Sequence, residues 1–105
     1  MADTQRELAV IGAGQLGSRH LQALCRTDFP ARIWVVDPGV EALTLAERRV
    51  AEVSAEMRDK TLSYHRTMAE LPATLDLAVV ATNSLVRLTA LRDLQHQIEI
   101  HEAIA

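Results

Sequence analysis

Short apolar runs alternate with segments of helical periodicity along this chain of 105 residues. Apolar runs bounded by turn residues are typical of buried strands, and apolar positions three or four apart are typical of helices packed on one side. The pattern predicts strands at residues 7–11, 32–36, 62–66 and 75–81, with a weaker fifth at 97–101. It predicts helices at 15–26, 40–59 and 83–95, with Leu16, Cys25 and Val40 among the packed positions, and a helical turn at 68–72.

Regular alternation of strands and helices predicts the α/β class with a parallel sheet. We expect a three-layer domain, with a mostly parallel sheet of four or five strands and helices on both faces. The sequence contains no internal repeat, low-complexity tract or linker. A length of 105 residues is that of one domain, so we assign residues 1–105 to a single unit.

A glycine-rich stretch, residues 12–17, follows the first predicted strand and opens the first predicted helix. Its spacing, G-x-G-x-x-G in this setting, is typical of dinucleotide binding. Gly12 would allow the tight turn, Gly14 would let the backbone approach a pyrophosphate, and Gly17 would let the helix pack against the strand. The helix N-terminus offers free N–H groups and partial positive charge to phosphates.

Asp37 lies 20 residues after Gly17, directly after the second predicted strand. A carboxylate at this place accepts hydrogen bonds from the adenosine ribose and repels the 2′-phosphate of NADP. Pro38 and Gly39 supply no basic side chain, so we expect NAD rather than NADP. The alternative is that the glycines only form a strand–helix turn and that Asp37 only caps the next helix.

The segments GAGQLGSRHL, VVDP and DLAVVAT, in this order, resemble the N-terminal domain of Gfo/Idh/MocA-type oxidoreductases. The resemblance covers residues 7–96. It implies a Rossmann-like domain that holds a nicotinamide cofactor, normally followed by a second α+β domain with much of the substrate site. The reaction that it implies is hydride transfer at a carbon of a sugar or cyclitol.

The same resemblance implies which residues lie against the cofactor. Gly12, Gly14 and Gly17 match the phosphate loop, Asp37 matches the ribose acid, and the backbone of Gln15 and Leu16 would face the pyrophosphate. The segment after the fourth main strand would lie beside the cofactor and comprises Ala81, Thr82 and Asn83.

Three positions depart from the family pattern. Asn83 stands where the family usually has proline, and Val86 and Arg87 occupy the region of a common histidine. Glu102 stands about where the family has a lysine that orients the substrate and assists proton transfer. A glutamate supplies no cation, so we assign no catalytic residue to this chain and leave open whether it is an enzyme.

The sequence ends at Ala105, where the family would continue into a substrate domain. We therefore expect a truncated cofactor domain that is inactive alone and has an exposed edge strand. Such an edge pairs readily with another chain, which predicts a homodimer or an absent C-terminal domain. The alternative is a free-standing, non-catalytic module that binds a nucleotide or a partner.

Composition narrows the function classes further. The net charge of −3 argues against a nucleic-acid partner, and no apolar run is long enough for a membrane span. The N-terminus has no signal-peptide core, and the single cysteine, Cys25, fits a reducing compartment. We expect a cytoplasmic protein without a metal site, in which Cys25 is a buried, inert thiol.

Overall fold

The computed structural model describes residues 5–81, 99–100 and 103–104. The strands are β1 (Arg6–Ile11), β2 (Ala31–Val36), β3 (Lys60–His65), β4 (Thr74–Leu75), β5 (Leu77–Val80), β6 (Glu99–Ile100) and β7 (Ala103–Ile104). The α-helices of the described residues are α1 (Gln15–Cys25) and α2 (Val40–Glu52). Short 3₁₀ turns follow α2 and β3, at Ser54–Glu56 and Met68–Glu70.

The main sheet has the strand order β3-β2-β1-β5-β7, and all of its described pairs are parallel. The chain runs outward from β1 through β2 to β3 and then crosses to the other side of β1. This confirms the predicted α/β class with a parallel sheet and is compatible with a Rossmann-like fold. The strand order reverses between β1 and β5, and in open α/β sheets ligands bind beyond the carboxyl ends of the strands at such a point.

Both described helices pack on one face of the sheet. Their buried side chains, including Leu21, Cys25, Leu43 and Val50, form one core cluster with Leu8, Val10, Ile33 and Val35 of the strands. The other face holds a second cluster built around Ala9, Ile11 and Val80, against which Met68 and Leu71 pack. The predicted helix at 83–95 lies outside the described residues.

The second helix ends at Glu52, so the predicted extension to residue 59 is wrong. A helix of 13 residues is about 20 Å long, the length of a six-residue strand. The chain has therefore returned across the sheet by Glu52. The buried Val53 and the 3₁₀ turn then lead it into β3.

The strand predicted at 75–81 is divided at Asp76. The Asp76 N–H donates to the Glu7 carbonyl, while Asp76 Oδ2 accepts from the Glu7 N–H, each at 2.8 Å. A side-chain oxygen thus replaces a backbone acceptor, and β4 before it pairs with β6 instead of β1.

The weaker fifth strand predicted at 97–101 includes Glu99–Ile100, which forms β6 and pairs with β4 in a two-stranded sheet. The main sheet instead receives Ala103–Ile104 next to β5. Two helix positions predicted to pack, Leu16 and Val40, are each 58% exposed. Both lie in the first turn of their helices, beyond the edge of the core.

Candidate functional site

The glycine loop begins with a backbone conformation that favours glycine. Gly12 has a φ of 97°, in the region that residues with a Cβ rarely adopt. Its N–H donates to the Val36 carbonyl at 2.8 Å, which continues the pairing of β1 with β2 by one residue. The chain then turns from β1 into α1 with Gly12 fixed against the end of β2.

Gly17 lies against the backbone of Gly12. A Cβ built on Gly17 would come within 1.8 Å of the Gly12 carbonyl oxygen and 2.7 Å of its carbon. The same Cβ would lie 3.6 Å from Cβ of Ala81, at the end of β5. The structure therefore shows the close helix–strand approach for which the third glycine of the motif was predicted.

Gly14 has open space around it. A Cβ built on this residue meets no heavy atom within 4 Å. Gly14 is also the N-cap of α1, and within residues 5–81 no side chain caps this end of the helix and no acidic residue occupies its first turn. The first N–H groups of a helix lack partners inside it, so α1 presents uncompensated donors and positive charge here.

Asp37 joins the glycine loop to the loop after β2. Its Oδ2 accepts from the Ala13 N–H at 2.8 Å, and its Oδ1 accepts from the Gly39 N–H at 2.7 Å. Gly39, rather than Asp37, is the N-cap of α2. A carboxylate has about four acceptor positions, so roughly two remain for hydroxyl donors of a ligand.

The other predicted site residues are divided between the described and undescribed parts of the chain. The Ala81 N–H donates to the Ile11 carbonyl at 2.8 Å, which places Ala81 beside the start of the glycine loop. Gln15 is exposed, and its Oε1 accepts from Arg49 Nη2 at 2.8 Å. The exposed Leu16 follows it, whereas Thr82 and Asn83 lie outside the described residues.

Arg66 is a neighbour of the site that the sequence reasoning missed. Its Nε and Nη2 atoms donate to the Pro38 carbonyl oxygen at 3.3 and 3.2 Å. Parallel strands with matched register place the residues after their carboxyl ends side by side, which is the signal that could have identified it. The site therefore includes a cation close to Asp37, although residues 38 and 39 supply none.

A second polar group lies on the sheet face away from α1 and α2. His65 contacts Glu70 Oε1 through Nδ1 at 2.6 Å and Ser63 Oγ through Nε2 at 2.7 Å. Its ring stacks on Trp34, with 5.2 Å between the ring centroids. These contacts fasten the 3₁₀ turn at Met68–Glu70 to β3.

Cys25 has the properties of an inert thiol. It is fully buried, and burial raises the pKa of its thiol from 9.0 to about 11. The thiolate is the reactive form, so Cys25 is protonated and unreactive at neutral pH. Burial likewise raises the pKa of Tyr64, to about 12.

Among the residues that the structure describes, no cluster of three or more histidine, cysteine or acidic side chains could hold a metal ion. No helix in this part of the chain has the length and apolar character needed to cross a membrane.

No protein-family model matches this chain, and no curated protein matches it in sequence.

Proposed function

We propose that this chain binds a nicotinamide dinucleotide, NAD(H) in preference, at the carboxyl ends of β1, β2 and β5. In this proposal it is the cofactor domain of a Gfo/Idh/MocA-like oxidoreductase that transfers hydride to or from a sugar or cyclitol. The parallel sheet, the glycine loop at its topological switch point and the acid after β2 support the binding step. The class of oxidoreductase rests on the sequence resemblance.

The observation that carries the proposal is the hydrogen bond between Asp37 Oδ2 and the Ala13 N–H. In a dinucleotide the adenosine ribose is joined through its 5′ carbon to the pyrophosphate. A protein that binds both must therefore hold its ribose acid next to its phosphate loop. The 2.8 Å contact places the carboxylate and the loop in this relationship.

In this proposal α1 binds the pyrophosphate and Asp37 binds the ribose. The uncapped N-terminus of α1 supplies N–H donors and positive charge for the pyrophosphate, and Gly14 leaves the space through which it can approach. Asp37 accepts from the ribose hydroxyls. The exposed Leu16, in the first turn of α1, offers apolar surface beside the pyrophosphate position.

The bound cofactor would supply the hydride or accept it, and the protein would supply position and exclusion of water. In this proposal the glycine loop, the N-terminus of α1 and Asp37 would hold the adenosine and the pyrophosphate. Glu102, at the place of the family lysine, favours a second candidate, a nucleotide-binding module without turnover. Both candidates require the same binding site. They differ in whether a further domain completes a site where NAD+ accepts hydride from a sugar alcohol carbon, or NADH gives hydride to a keto sugar.

ADP-ribose tests the proposal because it contains the adenosine, the pyrophosphate and both riboses without the nicotinamide. Calorimetric titration of the full chain should give saturable binding of ADP-ribose, with AMP at least about tenfold weaker because it lacks the second phosphate held by α1. Asp37→Ala should weaken the binding of both ADP-ribose and AMP. A folded chain that binds neither ligand would refute the proposed function.

A further inference from the structure

The peptide group between Pro38 and Gly39 has opposite charges bonded to its two ends. Its N–H donates to Asp37 Oδ1 at 2.7 Å, and its carbonyl accepts from two nitrogens of Arg66 at 3.2 and 3.3 Å. From these contacts and standard peptide dimensions, the carboxylate and the guanidinium are at most about 8 Å apart. The guanidinium of Arg66 and the carboxylate of Asp37 therefore lie at opposite ends of the same peptide group.

The sheet register explains why this cation is present. β2 and β3 pair in parallel up to Val36 and His65, and the Asp37 N–H then donates to the His65 carbonyl at 3.0 Å. The residue after β3 therefore emerges beside the loop after β2. Residues 38 and 39, which follow Asp37 along the chain, carry no basic side chain, whereas the fold supplies Arg66 from directly after the neighbouring strand.

The chemistry of Arg66 fits a phosphate group. The side chain is exposed, and a guanidinium has five N–H donors, of which two are used at the Pro38 carbonyl. The planar, positively charged fork of arginine matches the geometry of phosphate oxygens. The Asp37 carboxylate already accepts two backbone N–H donors, which partly compensate the negative charge that would repel a phosphate.

We propose that Arg66 is a specificity-determining residue that binds the 2′-phosphate of NADP(H), so that the site accepts NADPH as well as NADH. This inference rests on the proposed dinucleotide site and deepens it. Asp37 holds the ribose hydroxyl that both cofactors share, and Arg66 contacts the phosphate that only NADPH carries. The ligand chemistry recognised here is a phosphomonoester on an adenosine ribose.

The test compares NADH and NADPH in calorimetric titrations of the wild-type chain, Arg66→Gln and Arg58→Gln. Arg58 is exposed and lies before the opposite end of β3, so its variant removes the same charge away from the site. We expect wild-type affinities for the two cofactors within about tenfold of each other. Arg66→Gln should weaken NADPH about tenfold or more, the usual effect of a charge-assisted hydrogen bond, and change NADH less than about twofold.

Three further measurements test whether the effect is specific to the 2′-phosphate. Arg66→Lys, which retains charge without the planar fork, should recover part of the NADPH affinity. The pair 2′,5′-ADP and 5′-ADP should reproduce the difference, because the 2′-phosphate alone distinguishes them. In the wild type, added salt should weaken the binding of NADPH more steeply than the binding of NADH. In Arg66→Gln, salt should weaken the binding of the two cofactors to the same extent.

The outcomes separate this inference from the proposed function. The role of Arg66 would be overturned if NADH binds saturably and the two variants, Arg66→Gln and Arg58→Gln, lose NADPH affinity equally or not at all. The proposed dinucleotide site would not be affected by that result. A folded wild-type chain that binds neither NADH nor NADPH would overturn both. Selective loss of NADPH affinity in Arg66→Gln supports both.

Discussion

The carboxylate of Asp37 is bonded to the backbone N–H of Ala13, 24 residues earlier, with 2.8 Å between Oδ2 and the nitrogen. This contact joins the loop after β2 to the turn between β1 and α1. Ala13 lies between two glycines whose backbone has little intrinsic order, so a side chain from the loop after β2 helps to fix the turn. The contact stabilises the fold in the absence of a ligand. It also holds the glycine loop next to Asp37, as the proposed dinucleotide site requires.

Replacing Asp37 should therefore affect stability as well as binding. Asp37→Ala removes the acceptor of both the Ala13 and Gly39 N–H groups, and we expect a loss of about 1–3 kcal/mol in the free energy of unfolding. Asp37→Asn keeps one carbonyl oxygen as an acceptor, so the loss in the free energy of unfolding should be smaller. Urea unfolding followed by the fluorescence of Trp34, the one tryptophan in the chain, measures both. Equal stability of all three proteins would show that the Asp37 contacts do not hold the loop.

Two glycines of the motif should respond differently to alanine. The Cβ of Gly17→Ala would collide with the Gly12 backbone, so we expect a loss of about 3 kcal/mol or more in the free energy of unfolding. Gly14→Ala adds the same methyl group in open space, at a helix N-cap with extended backbone, and should cost about 1 kcal/mol or less. Denaturant unfolding of the pair measures the difference. Similar losses in both variants would contradict the distinct roles given to the two positions.

Lys60 fastens the start of β3 to the loop before β2. Its Nζ donates to the carbonyls of Thr27, Phe29 and Arg58 at 2.7, 2.7 and 2.8 Å. Lys60→Met keeps most of the side-chain volume and removes the ammonium, which should lower the free energy of unfolding by about 1–3 kcal/mol. Lys60→Arg retains a cation, so its loss in the free energy of unfolding should be smaller. If Lys60→Met is as stable as the wild type in a urea titration, the three Lys60 contacts do not stabilise the fold.

The raised pKa of Cys25 predicts a loss of stability in alkaline solution. The unfolded thiol ionises near pH 9.0, whereas the folded protein holds the proton until about pH 11. Unfolding therefore releases a proton between these pH values, and the contribution of Cys25 to stability, complete below pH 9, decreases as the pH rises. At pH 10 this loss should be about 1 kcal/mol.

Cys25→Ala provides the control for this pH dependence. Tyr64 is present in both proteins, and burial is the main cause of its raised pKa, so most of its alkaline effect is common to the two stability profiles. We expect the wild type to lose more stability than Cys25→Ala between pH 8 and pH 10. Parallel profiles would contradict the assigned cause. In the folded protein at pH 8 the thiol should also react with a disulfide reagent far more slowly than in urea, because it is buried and protonated.

The parallel α/β architecture could be predicted from sequence because the local signals agree with the fold. Continuous apolar runs such as residues 33–36 are typical of strands buried on both faces, and the glycine motif marks the first strand–helix turn. The position of Asp37 after β2 follows from the same pattern. These features depend on residues that are close in sequence.

The features that sequence reasoning missed depend on which strands become neighbours. The contact of Arg66 with Pro38 requires the register of β3 on β2. The break at Asp76 requires its side-chain oxygen to accept from the Glu7 N–H of β1 in place of a backbone carbonyl. The early end of α2 is set by the length of the strands beneath it. Leu16 fits the helical apolar pattern yet is exposed, because periodicity does not show where the core ends.

The most direct test of the dinucleotide site is a calorimetric titration of NADH into the wild-type chain, Gly14→Val and Ala23→Val. Ala23 is exposed near the far end of α1, so its variant places the same side chain on the same helix away from the loop. The account predicts saturable binding to the wild type and to Ala23→Val, and loss of binding in Gly14→Val with the fold retained, because the valine fills the space proposed for the pyrophosphate. NADH binding to Gly14→Val with wild-type affinity, or no binding to the folded wild type, would contradict it.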